Sequence, residues 1–291
     1  MRYGYIGLGD MGSAMAGHLL STGATVTVFD LNPATVERAV RQGATAATTA
    51  AEVATSSDVV SVCVPAAEHV EAVIAGPGGI AEAVHDGVTV LIHSTVHPDT
   101  MIWARETAEP WGVSVFDACV AGGGAAADKG ELAIFAGGLD QMPAAARALL
   151  DVYGTKVIGA GPVGSGAALK IGVNVMTYAQ QAAAAAAFEL VEGAGADTDA
   201  LVEAWRHTGQ LGALTEQFLP MLSFHLSDIT GDLRTYLQST VSIGQKDLEL
   251  ALALCVDDPR GVAPVVRAVR DAMPSVFGVD DPGPISEEES A

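Results

Sequence analysis

At 291 residues, 49% hydrophobic and 17% charged, the chain is long enough for two domains and apolar enough to bury large cores. A formal net charge of −21 argues against a nucleic-acid partner, because phosphate binding needs clustered Lys and Arg. Three scattered cysteines, Cys63, Cys119 and Cys255, form no CxxC pair, which argues against a disulfide framework and for reduced thiols in the cytoplasm.

Residues 2–8 read as a first strand, with no signal-peptide pattern before it. The turn Gly7-Leu8-Gly9-Asp10-Met11-Gly12 follows, and then a helical pattern through Met15, Leu19 and Leu20. In this strand-to-helix setting Gly7 permits a tight turn and Gly9 lets a pyrophosphate approach the backbone. Gly12 lets the helix pack closely, with its first N–H groups toward the phosphates. A second strand over 24–29 ends at Asp30, placed to accept the ribose hydroxyls of an adenosine and to repel a 2′-phosphate. No arginine occurs in Leu31-Asn32-Pro33, so NAD is favoured, with NADP as the alternative.

Strand-like runs at 59–64, 89–93, 113–118 and 132–136 alternate with helical patterns at 34–41, 67–74 and 99–109. Alternation of this kind predicts an α/β Rossmann domain with a doubly wound parallel sheet. Ligands in such sheets bind beyond the carboxyl ends of the strands, which selects Val64-Pro65, His93-Ser94-Thr95 and the segment from Asp117. There Gly122, Gly123 and Gly124 expose backbone N–H groups able to hold a carboxylate. His93 and His97 match no metal-ligand spacing and are expected to be structural, and no metal site is expected.

The breaker residues 159–164 mark the predicted domain boundary, giving 1–160 as the nucleotide domain. Helical runs at 165–193, 197–208, 213–223, 233–255 and 260–273 then predict an all-α second domain over 161–278, entered by one long helix. The acidic stretch 279–291 reads as disordered. The apolar run 171–190 carries Asn174, Gln180, Gln181 and Glu189, so it is expected to be a buried helix, not a membrane span. Lys170 is the only charge between Lys156 and Glu189, with Asn174 one turn on. By itself that lysine is either a snorkelling surface residue or a functional amine.

Taken together, these motifs resemble the β-hydroxyacid dehydrogenase family over about residues 2–275. G-L-G-D-M-G-S-A-M at 7–15 resembles the family's cofactor turn, which implies cofactor contacts from Gly7, Gly9, Asp10, Met11 and Gly12. Ser94-Thr95-Val96 resembles the strand end near the nicotinamide, and Asp117 to Gly124 the substrate loop, implying substrate contacts from Ala121, Gly122 and Gly123. The segment 164–174 resembles the catalytic stretch, with Lys170 and Asn174 at the lysine and asparagine positions. Lys246-Asp247-Leu248 resembles the K-D-L motif, which brings Lys246 to the cofactor.

The resemblance implies hydride transfer between a nicotinamide and a small 3-hydroxy acid or its semialdehyde, with Lys170 as general acid/base. It also implies a homodimer or homotetramer. Departures occur at Cys119, where the family usually has Pro, at Ala121, where it usually has Ser, and at Glu131, where Thr or Asn is usual. An imine or other carbonyl reductase, or a non-catalytic dinucleotide-binding scaffold, are the alternatives. Retention of Lys170 disfavours both.

Overall fold

The computed structural model describes residues 1–82, 87–222, 224 and 228–280. It divides into two compact units, Met1–Lys170 and Ile171–Ala291. In the first, β1 (Arg2–Ile6), β2 (Thr25–Phe29), β3 (Thr45–Ala46), β4 (Val59–Val62), β5 (Thr89–Ile92), β6 (Ser114–Ala121), β7 (Leu132–Gly137) and β8 (Gly154–Gly161) form one sheet. Its order is β3-β2-β1-β4-β5-β6-β7-β8, parallel throughout except for the antiparallel β6–β7 pair. The connecting helices are α1 (Asp10–Ser21), α2 (Pro33–Arg41), α3 (Ala50–Thr55), α4 (Ala67–Ala75), α5 (Pro98–Ala108), α6 (Gly123–Ala127) and α7 (Ala144–Tyr153).

β4 and β5 are buried along their whole length, as parallel strands covered by helices on both faces must be. Strand order reverses between β1 and β4, and there the carboxyl ends of a doubly wound sheet take a ligand. Several elements have no counterpart in the predicted list. β3 is two residues long, too short to show alternation. β8 carries glycines at both ends that read as a loop, and α6 starts on two glycines, poor helix formers. The short α3 and the amphipathic α7 are also additions.

A polar chain runs through this core. His93 Nδ1 lies 2.7 Å from the Ala118 carbonyl, and Nε2 lies 3.1 Å from Ser61 Oγ. Ser61 Oγ in turn lies 3.1 Å from the Tyr153 hydroxyl. Since the carbonyl only accepts, Nδ1 must carry the proton, Nε2 accepts from Ser61, and Ser61 accepts from Tyr153. All three side chains are buried, and Tyr5 stacks beside the imidazole. His93 is therefore structural, and burial lowers its pKa from 6.5 to about 4. A depressed folded-state value means that stability is complete above pH 6.5 and is lost as pH falls toward 4, by roughly 3 kcal/mol. Urea denaturation of the wild type between those pH values should show this decline, and His93→Gln should flatten it. An equal slope in both proteins would remove His93 from the account.

The second unit begins inside α8 (Ser165–Gly193) and adds α9 (Thr198–Thr208), α10 (Ala213–Leu222), α11 (Gly231–Leu254) and α12 (Ala263–Val276). No strand occurs among its described residues. Its core gathers Ile171, Phe218, Leu237, Leu248, Met273 and Phe277, with Phe218 and Phe277 edge to face at 5.3 Å. Gly244 on α11 makes this packing possible: a Cβ there would come within 2.4 Å of Met273 and 3.3 Å of the Tyr178 ring. Val279 is buried in the same core, whereas Asp281 and Glu287 to Glu289 of the acidic stretch lie outside the described residues. Among the described residues no helix is long and apolar enough to cross a membrane.

Candidate active site

The glycine turn after β1 separates into two kinds of glycine. A Cβ on Gly7, whose φ is +90°, would fall 2.2 Å from the Cys63 carbonyl oxygen, and one on Gly12 would fall 1.9 Å from that of Gly7. Those two are required by the fold itself. Gly9 is different, because a Cβ there would meet nothing within 4 Å. Gly9 also caps α1 and has no side chain to accept from the first-turn N–H groups. Open space, unsatisfied donors and the positive end of a helix dipole together form a cradle that fits a pyrophosphate. Asp10 is exposed and Met11 half-buried beside it.

Asp30 stands at the end of β2. Its carboxylate accepts from the Leu8 and Asn32 backbone N–H groups, which fixes it against the glycine turn. At the ends of β4 and β5, Ser94 Oγ accepts from the Val64 N–H at 2.9 Å, so that donor is used within the protein. Pro65 is exposed and Thr95 half-buried on the same rim.

Asp117 lies in the middle of β6 and is fully buried. Its two oxygens accept from Gly164 N–H at 2.9 Å, just before α8 (Ser165–Gly193), and from Ala167 N–H at 3.0 Å in its first turn. Burial pushes the carboxyl above its usual range, and the backbone N–H groups of Gly164, Ala167 and Gly166 hold it back. Glycine is obligatory around it, since a Cβ on Gly137 would sit 2.0 Å from one oxygen and one on Gly166 2.7 Å from the other. Past the end of β6, Gly122 (φ +135°) and Gly123 (φ +75°) turn the chain in conformations only glycine adopts freely. Ala121 precedes them, half-buried.

Lys170, half-buried, ends the first unit on α8. One turn later in the second unit, Asn174 is buried and its Nδ2 donates to Asp247 Oδ2 at 2.6 Å. The Tyr178 hydroxyl donates to the same oxygen at 3.2 Å. Lys246 Nζ lies 2.9 Å from Asp247 Oδ1, an ion pair. A carboxylate only accepts, so the amide must turn its NH₂ to Asp247 and keep its carbonyl oxygen on the other side. Burial, and then the Asp247 charge, push the Tyr178 phenol far above its usual range, so it remains a donor. The structure thus gathers Asn174 and Lys246 about one buried carboxylate.

A family model, the NAD binding domain of 6-phosphogluconate dehydrogenase, matches residues 2–162. An uncharacterized oxidoreductase of Mycobacterium tuberculosis is 38% identical over 259 residues, covering 87% of this chain and 85% of that one. The 3-hydroxyisobutyrate dehydrogenase of Pseudomonas aeruginosa is 34% identical over 204 residues, covering 70% of this chain and 68% of that one. The chain belongs to the β-hydroxyacid dehydrogenase family.

This β-hydroxyacid dehydrogenase is an oxidoreductase whose N-terminal domain binds a nicotinamide dinucleotide. Its fold is also that of the 3-hydroxyisobutyrate dehydrogenase from Salmonella typhimurium, with TM-score 0.81 at 24% identity, covering 96% of this chain and 98% of that one. The family departures have plain local roles. Cys119 is buried with its Sγ donating to the Ser94 carbonyl at 3.4 Å, and Glu131 is exposed. None of the three cysteines forms a disulfide.

Asp247 and Tyr178 were not among the predicted site residues. The K-D-L motif contains Asp247, but a lysine beside it drew the assignment; Tyr178, one turn beyond Asn174, carried the remaining signal. Asp117 was read as a loop start, although a carboxylate within a strand can also cap a distant helix.

Proposed function

We propose that the enzyme oxidises a small 3-hydroxy acid with NAD, or reduces the matching semialdehyde, using Lys170 as the general acid/base. The observation that carries this reading is the fixed polarity of Asn174, one helical turn from Lys170. A buried asparagine whose NH₂ is held by a carboxylate, itself steadied by the Tyr178 hydroxyl, turns its carbonyl oxygen the other way. That oxygen accepts from the substrate hydroxyl or from the Lys170 amine, so that a proton can pass between them. When bound, the nicotinamide takes up or gives back the hydride. Gly9 and the start of α1 hold the pyrophosphate, with Asp10 and Met11 in the turn, and Asp30 accepts from the adenosine ribose. Val64, Pro65 and Thr95 are assigned to the nucleotide rim, and Lys246, of the K-D-L motif, to the cofactor contacts.

Backbone donors of Gly122 and Gly123 hold the substrate carboxylate. Ala121 offers no hydroxyl there, which weakens binding of 3-hydroxyisobutyrate itself by roughly 0.5–1.5 kcal/mol relative to a serine. That departure leaves room for a larger, less anionic or differently anchored hydroxy acid. Exposed Met176, Leu190, Tyr236 and Ile243 on α8 and α11 support self-association as a homodimer or homotetramer, and the free thiols suit the cytoplasm.

A panel of 3-hydroxy acids, with and without a second anionic group, tests the proposal by NADH formation. Turnover with at least one 3-hydroxy acid is expected. Turnover confined to imines or to substrates without a carboxylate would overturn it.

A further inference from the structure

The assignment of NAD leaves one cation near the glycine turn without a role. Arg38, on α2, reaches across to α1 and donates to Ser13 Oγ at 2.6 Å. Ser13 Oγ donates in turn to the Leu8 carbonyl at 2.5 Å, and the Leu8 N–H donates to Asp30. Guanidinium and Asp30 carboxylate are therefore joined through two residues of the cofactor turn, Ser13 and Leu8. Leu8, Ser13, Thr35, Arg38 and Gln42 line one crevice between α1 and α2. The guanidinium is exposed, and its bond to Ser13 uses one of its five N–H groups. A hydroxyl is a weak partner for it; a phosphate, which accepts bidentately, is a strong one.

We infer that Arg38 is a cofactor-specificity residue: with Ser13 it forms the cationic half of a 2′-phosphate subsite, which the Asp30 carboxylate closes. The inference rests on the reading of the glycine turn as the dinucleotide site. NAD preference is then imposed by a single negative charge on a site otherwise prepared for NADP. Asp30 itself cannot swing aside, because two backbone N–H groups hold its oxygens. A 2′-phosphate arriving beside Arg38 therefore meets a fixed carboxylate. Once that charge is removed, the phosphate meets the guanidinium alone.

Fluorescence titration with NADH and NADPH tests this in the wild type, Asp30→Ala, Arg38→Ala and the double variant. The readout is the ratio of the NADPH to the NADH dissociation constant. Asp30→Ala should lower the ratio at least tenfold, Arg38→Ala should raise it several-fold, and the double variant should lose the gain given by Asp30→Ala. A gain that survives in the double variant overturns the inference, as does an unchanged ratio in Arg38→Ala. A wild type that prefers NADPH removes the closing role of Asp30 and overturns it too. Failure of the wild type to bind either dinucleotide would instead defeat the reading of the glycine turn, and the inference with it. Matching circular dichroism spectra across the four proteins exclude misfolding as the cause.

Discussion

Lys170→Ala is expected to lower kcat/KM for hydroxy-acid oxidation by roughly 100- to 10,000-fold, with NADH binding intact. The range is that of a positioned general acid/base, whose loss leaves orientation and hydride chemistry in place but removes the proton acceptor. Lys170→Arg should not rescue, because a guanidinium keeps the positive charge yet does not deprotonate near neutral pH. The pair of variants therefore separates proton transfer from charge. If Lys170 only attracted the substrate carboxylate, arginine would restore most of the rate, and the loss would appear in KM. Undiminished turnover in Lys170→Ala would end the assignment.

The largest stability effect is expected at Asp117. Asp117→Ala leaves the N–H groups of Gly164 and Ala167 buried without an acceptor and opens a void between Gly137 and Gly166. Two unsatisfied buried donors, at about 1–3 kcal/mol each, and a small cavity together cost about 3–5 kcal/mol. For a unit of this size that lowers the melting midpoint by about 10 °C. Asp117→Asn should fall between, since its amide oxygen serves one donor while its NH₂ confronts the other. A shift of less than about 2 °C in Asp117→Ala would mean that water replaces the carboxylate.

The sheet core and the glycine turn were legible in the sequence because each obeys a short-range rule. Strands β2, β4 and β5 announced themselves through β-branched runs, and β1 with Gly7, Gly9 and Gly12 through the spacing of glycines between strand and helix. The long helix α8 was delimited to the residue, 165–193, by breakers before it and an unbroken apolar run. Less legible were features that depend on partners far apart in the chain. Asp117 meets Gly164 and Ala167, and Asn174 meets Asp247 more than 70 positions on. No periodicity encodes such meetings. Arg38 escaped for a related reason: a search for a cation directly after Asp30 does not reach the second turn of α2, where the helix carries it back toward Ser13. β8 shows the converse failure, because its glycines signal a turn while its middle still pairs with β7.

The capped start of α8 also acts as a phase reference. Each residue advances a helix by about 100°, so the direction of Lys170 is set by its count from the turn that Asp117 holds, and that of Asn174 by its count from Lys170. Composition in this stretch is forgiving, since alanine, glycine and valine are interchangeable on its open faces at modest cost. Length is not. One residue inserted between Ala167 and Lys170 would keep every side chain the chemistry needs and rotate the lysine a quarter-turn away from its present bearing. The alanine-rich stretch is thus a ruler, and natural variation in it should take the form of substitutions, never of insertions or deletions.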